Sequence, residues 1–181
     1  MHRIFCALFL AAFALTALAQ DVSRRPSTEE IIKQLKPAPA LKTRALGNVD
    51  RRGIRIEGAS PVESVPLRAI DLEVNFEYAS ATLSPDARLV LDNLGKALSD
   101  PALNTSRFQV AGHTDAAGGE SYNITLSKRR ALSVADYLFR VHGIVGARLE
   151  IAGFGASKLR DGADPLSAVN RRVQIVNLGA P

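Results

Sequence analysis

The chain has 181 residues, 46% of them hydrophobic, and its 23 Lys and Arg against 18 Asp and Glu give a formal net charge of +5. That composition is globular, and the length suits one domain with some additional sequence. A single Cys excludes an internal disulfide framework, while the basic balance admits nucleic acid, anionic polymers or membrane surfaces without selecting among them.

Residues 1–19 read as a secretory signal peptide. His2 and Arg3 precede a nearly unbroken apolar run from Ile4 to Leu18, and Ala17-Leu18-Ala19 supplies small residues where a signal peptidase cuts. The run falls short of the ~20 residues that span a bilayer, and Cys6 lies at its start, the wrong end for lipidation. Residues 20–66 follow as a flexible basic arm. Within it Ser27-Thr28-Glu29-Glu30 resembles a capping box. Ile31, Ile32 and Leu35 form a short apolar stripe that Pro37 and Pro39 terminate, which predicts a helix from Ser27 to Lys36. A helix of under three turns needs a docking surface, so residues 20–40 are the candidate contact with an envelope protein partner. Gly53 to Gly58 predicts a short strand.

From Leu67 strands and helices alternate. Ile70, Leu72, Val74 and Phe76 keep the period of a half-buried strand. Ser84-Pro85-Asp86 starts a helix, carried by Leu89, Val90, Leu94 and Leu98 until Asp100-Pro101. Phe108, Val110 and Gly112 predict a second strand that leads into a polar loop. A long helix then runs from about Ser121 to His142, closed by Gly143, with a core face of Leu126/Ser127, Ala131, Val134/Ala135, Leu138 and Phe139. Strands at 148–155 and 172–178 enclose a polar loop, 156–170. The order β-α-β-α-β-β predicts an α/β sandwich with helices packed on one face of a small mixed sheet.

Three stretches put polar groups at element ends: Gly112-His113-Thr114-Asp115, then Tyr122-Asn123-Ile124-Thr125-Leu126-Ser127-Lys128-Arg129-Arg130-Ala131, then Asn170-Arg171-Arg172-Val173. In this order and spacing they resemble the OmpA-like C-terminal domain family, from about Leu67 to Leu178. The resemblance implies that residues 67–181 bind the stem peptide of peptidoglycan without cleaving it. Asp115 would take the ammonium, and Arg130 the carboxylate, at the zwitterionic end of meso-diaminopimelate. It implies further contacts from Asn123, Leu126, Thr114 and the backbone of Ala117 and Gly118, with Arg172 near the pocket. The chemistry agrees, since a carboxylate matches one amine and a guanidinium fork matches one carboxylate bidentately. Asn123, Leu126 and Arg130 also share a helix stripe at i, i+3 and i+7. Two departures concern the rim: Gln174 stands where the family commonly has Glu, and Ala156 to Arg160 lacks the family's frequent Pro.

Each of these residues also has a plainer reading. Asp115 suits an N-cap or an Asx-turn. His113 is a packing or hydrogen-bonding residue at a strand end, because no HxH, HxxxH or Cys cluster accompanies it. Tyr122 reads as packing, Asn170 as fixing a turn, and Lys128 and Arg129 as solvated. Arg171 is an exposed strand charge or one half of an ion pair with an acidic neighbour. No cofactor or metal is expected. The competing class, a cell-wall-modifying hydrolase, needs a nucleophile–base set or a metal, and Ser127 lies inside a helix without nucleophile-elbow glycines. Nucleic-acid binding calls for basic patches interleaved with aromatics, whereas no basic run exceeds three residues. The expectation is a non-enzymatic periplasmic protein that tethers itself or a partner to the cell wall, possessing a link to the outer membrane through that partner. The charge divides accordingly: +3 on residues 20–66 and +1 on residues 67–181.

Overall fold

A computed structural model describes residues 25–37, 67–77 and 80–181. The expected signal peptide, most of the arm and the short strand read at Gly53 to Gly58 lie outside them. Among these residues the α-helices and strands follow in chain order as α1 (Thr28–Leu35), β1 (Ala69–Leu72), α2 (Pro85–Ser99), β2 (Arg107–His113), α3 (Glu120–His142), β3 (Leu149–Gly155) and β4 (Val173–Gly179). The sheet order is β1-β4-β2-β3, with β2 and β3 parallel and the other pairs antiparallel. This is the expected α/β sandwich on a mixed sheet, with one further helix in front.

Local chemistry sets the helix ends. The Ser27 hydroxyl accepts from the Glu30 N–H at 3.2 Å, and Ser84 accepts from the Ala87 N–H at 3.1 Å ahead of Pro85. At the far end of α3, Gly143 takes φ 66° as the left-handed cap. Val90, Leu91, Leu94 and Leu98 of α2 meet Ala131, Val134 and Leu138 of α3 over Phe108, Val110, Val173 and Ile175 of the sheet. Two expected core residues turn outward instead. Leu89 and Phe139 are exposed, because each sits about 100° round the helix from a buried neighbour, Val90 or Leu138, and the stripe is narrower than the periodicity alone suggests.

The helix expected between Ser27 and Lys36 forms as α1, but it packs on the domain itself. Ile31 and Leu35 are fully buried in the same core as α2 and β1, each burial contributing about 1.5–3 kcal/mol. Polar ties reinforce it: Asn177 donates to the Leu35 carbonyl at 2.9 Å, Asn93 to the Pro26 carbonyl at 3.1 Å, and Arg25 pairs with Asp86 at 2.9 Å. The apolar stripe assigned to an envelope partner is therefore turned inward, and the helix shows solvent Glu29, Glu30, Lys33 and Gln34.

One contact positions everything that follows. Gly112 of β2 and Gly153 of β3 are ladder partners, and the first half of α3 lies directly on them. A Cβ at Gly112 would collide with the Ser127 carbonyl, and one at Gly153 would stand 2.6 Å from the Lys128 nitrogen. Ser127 fastens the contact, accepting from the Gly155 N–H and donating to the Ile124 carbonyl, both at 2.9 Å. Helix backbone thus rests on sheet backbone, a separation no larger residue permits.

Candidate functional site

Chain leaving the end of β2 turns at once into the loop before α3, and hydrogen bonds fix most of that turn. The Thr114 N–H donates to the Gly155 carbonyl at 3.0 Å, which buries Thr114 and leaves its hydroxyl with no hydrogen-bond partner among the described residues. The Asp115 Oδ1 accepts from the Ala117 N–H at 3.2 Å, closing an Asx-turn. Asn123, buried in the first turn of α3, donates to the Ala117 carbonyl at 2.9 Å. Asn123 and Ala117 therefore shape the loop from within, and Gly118 takes φ 86° to complete it.

Asp115 keeps its second oxygen for Arg171, whose guanidinium donates to Oδ2 at 2.8 Å. The carboxylate side chain is 15% exposed and the arginine 48%. Arg130 approaches from α3. Its Nε donates to the Ser80 carbonyl at 3.0 Å, and its guanidinium lies over the Phe76 ring, 4.9 Å from the centroid. Burial lowers its pKa; the charges of Tyr122 and Asp115 oppose that shift, and the charge of Arg171 adds to it. An arginine so placed stays protonated. Leu126 is half-buried on the same helix stripe. Tyr122, expected as a packing residue, is 54% exposed beside the loop, because its position on α3 lies off the buried stripe.

Arg172 goes elsewhere. Ile70 and Leu72 of β1 point into the core, so Asp71 between them points to the other face of the sheet, and Arg172 follows it. Its Nε lies 3.2 Å from the Asp71 Oδ1, close enough for charge attraction although the N–H is not aimed along that line. Its NH2 donates to the Lys158 carbonyl at 3.3 Å. Gln174 donates to the same Asp71 oxygen at 2.9 Å, and Arg160 stands 3.6 Å from the other. The resemblance had set Arg172 near the pocket; it is Arg171 that reaches Asp115. The reason is local. Arg171 closes a single 3₁₀ turn, Ala168–Asn170, so the two arginines enter β4 on opposite sides.

His113 shares the Arg172 side. It is buried and stacked on Phe154 at 5.4 Å between ring centroids, a packing residue as expected. Burial first, then the nearby Arg172 charge, lowers its pKa to about 4, so the ring is neutral at neutral pH. Asn170 does more than fix a turn. Fully buried, it accepts from the N–H groups of Arg160 and Asp161 at 2.8 and 2.9 Å. It donates to the carbonyls of Asp161 and Asp164 at 3.1 and 3.0 Å. The loop from Arg160 to Arg171 is organised around this one amide. The resulting site holds one carboxylate and two guanidinium groups, an arrangement suited to binding a ligand that carries both signs of charge.

Among known proteins, the model of the OmpA family matches residues 75–172 of the chain. The peptidoglycan-associated lipoprotein of Pseudomonas putida is 38% identical over 115 residues, which cover 62% of this chain and 66% of that protein. Of solved structures, the OmpA-like domain of FopA1 from Francisella tularensis superposes with a TM-score of 0.53 at 26% identity, over 62% of this chain and 72% of that one. The cell wall anchor of the T6SS from Pseudomonas aeruginosa superposes with a TM-score of 0.51 at 26% identity, over 65% and 85% of the two chains. The chain spans only 30–31% of the length of outer membrane proteins that it matches at 31–33% identity. No helix among the described residues is long and apolar enough to cross a membrane.

Proposed function

Because the chain belongs to the OmpA family, we propose that residues 67–181 bind peptidoglycan non-covalently in the periplasm and tether this protein, or a partner in the envelope, to the cell wall. The protein acts as a binding module and not as an enzyme. The ligand is the zwitterionic end of meso-diaminopimelate in an uncross-linked stem: its ammonium goes to Asp115 and its carboxylate to Arg130. The observation that carries this reading is the Asp115 carboxylate, held at the end of β2 by the Ala117 N–H and paired with the Arg171 guanidinium at 2.8 Å, with Arg130 on α3 within reach of its charge. Leu126 lines the approach, buried Thr114 anchors the chain just ahead of Asp115, the Ala117–Gly118 backbone frames the site, and Asn123 holds that backbone in shape. Arg172 supports the site from the far face of the sheet.

Each charge-assisted bond contributes about 1.5–3 kcal/mol, so losing either end of the clamp lowers affinity by tenfold or more. The test is co-sedimentation of the protein with purified sacculi, with an assay for released muropeptides. The wild type pellets and releases nothing. Asp115→Ala and Arg130→Ala stay in the supernatant at equal salt. Pelleting by both variants would sink the clamp, and released fragments would point to a hydrolase.

A further inference from the structure

The site contains a charge that a simple two-point clamp does not need. A zwitterionic end requires one carboxylate and one guanidinium, yet besides Arg130 a second arginine, Arg171, is already paired with Asp115, leaving an excess of one positive charge. Arg171 occupies the Asp115 Oδ2 at 2.8 Å, the oxygen an incoming ammonium would use, because Oδ1 is engaged by the Ala117 N–H. The two arginines differ in freedom. Arg130 is fixed by the Ser80 carbonyl and the Phe76 ring. Arg171 is 48% exposed, and its backbone is held independently through the Ala168 carbonyl and the Asn170-centred loop.

We propose that Arg171 is a specificity-determining residue: it neutralises Asp115 in the empty site, yields that carboxylate to the ligand's ammonium, and then engages a second carboxylate on the same ligand. The inference rests on the peptidoglycan reading and deepens it. Its chemistry selects a diaminopimelate that keeps both carboxylates free, as at the end of a tripeptide stem, over one whose second carboxylate is an amide. In the first ligand three charges meet three opposite charges. In the second, Arg171 loses Asp115 and gains nothing in exchange, so displacing it is a net cost.

Two probes differing by that one group test it: L-alanyl-γ-D-glutamyl-meso-diaminopimelate, and the same tripeptide amidated at the carboxylate of the acylated centre. Both keep the zwitterionic end and the glutamyl carboxylate. Titration calorimetry on the full protein is expected to give about a tenfold preference for the free acid in the wild type. Arg171→Lys retains a preference, and Arg171→Gln brings the two affinities within about twofold. A purely structural role for Arg171 would weaken both probes equally and leave their ratio unchanged, which overturns the proposal. Equal binding of both probes by the wild type also overturns it while leaving the clamp intact. Failure of the wild type to bind either probe overturns the peptidoglycan reading itself.

Discussion

Arg171 and Arg172 are adjacent, chemically identical, and each meets an aspartate, yet their surroundings give them opposite work. Arg172 is 9% exposed and Asp71 23%, and the pair is joined by Gln174, Arg160 and the Lys158 carbonyl into a network that fastens the 156–170 loop to the sheet. Arg171 is half in solvent, and its partner Asp115 stands at the mouth of the site. A buried charge that loses its partner is strongly destabilising, whereas an exposed pair contributes little and exchanges easily. The same residue type is therefore a staple on one face and an exchangeable contact on the other, and one peptide unit separates the two roles.

That contrast can be broken in stages. Asp71→Ala leaves Arg172 buried without a counter-charge and is expected to lower stability by about 3 kcal/mol, seen as a reduced denaturation midpoint in urea. A loss below 1 kcal/mol would mean that the network is not a staple. Acid attacks the same face. His113 is held neutral with a pKa of about 4, while the unfolded chain protonates it near 6.5. The unfolded state thus binds the extra proton first, and stability is full above pH 6.5 and is lost as pH falls towards 4. By linkage the loss is about 2 kcal/mol between pH 7 and pH 5, and His113→Phe should flatten that part of the profile. The smallest stability effect belongs to the half-exposed pair: Asp115→Ala removes the Asx-turn bond from Ala117 and the ion pair to Arg171, and should cost about 1 kcal/mol while abolishing retention on sacculi. Such a variant would separate folding from binding as Asp71→Ala cannot.

Much of the architecture was legible because it depends on local rules. Ser84-Pro85 marks a helix start whatever lies around it, and Gly143 marks a stop. Strand order, by contrast, depends on which hydrophobic face meets which, so the periodicity of Ile31, Ile32 and Leu35 predicts a helix in need of a surface without revealing that the surface is α2 and β1 of the same chain. The site divides in the same way. The resemblance implies Asp115 and Arg130 as a pair with Arg172 beside them, whereas the arginine that meets Asp115 is its neighbour Arg171. Alternation assigns faces only inside a strand, and Arg171 stands just ahead of β4 on a 3₁₀ turn. The acidic residue it meets is 56 positions away, beyond the reach of any spacing rule. Asn123 carried a different ambiguity, because an amide on the site stripe serves equally well as a ligand contact or as a brace, and only its burial against the Ala117 carbonyl separates the two.

The glycine contact beneath α3 has a mechanical meaning. Asp115 hangs from the end of β2, an inner strand bonded on one side to β4 and on the other to β3, while α3, which carries Arg130, is seated on β2 and β3 through backbone atoms at Gly112 and Gly153. Under the proposed clamp, a load on the ligand would reach the end of an inner strand, where the hydrogen bonds of two ladders share it. The two residues of the proposed clamp are also seated on the same pair of strands, an arrangement that would keep the spacing between them under strain.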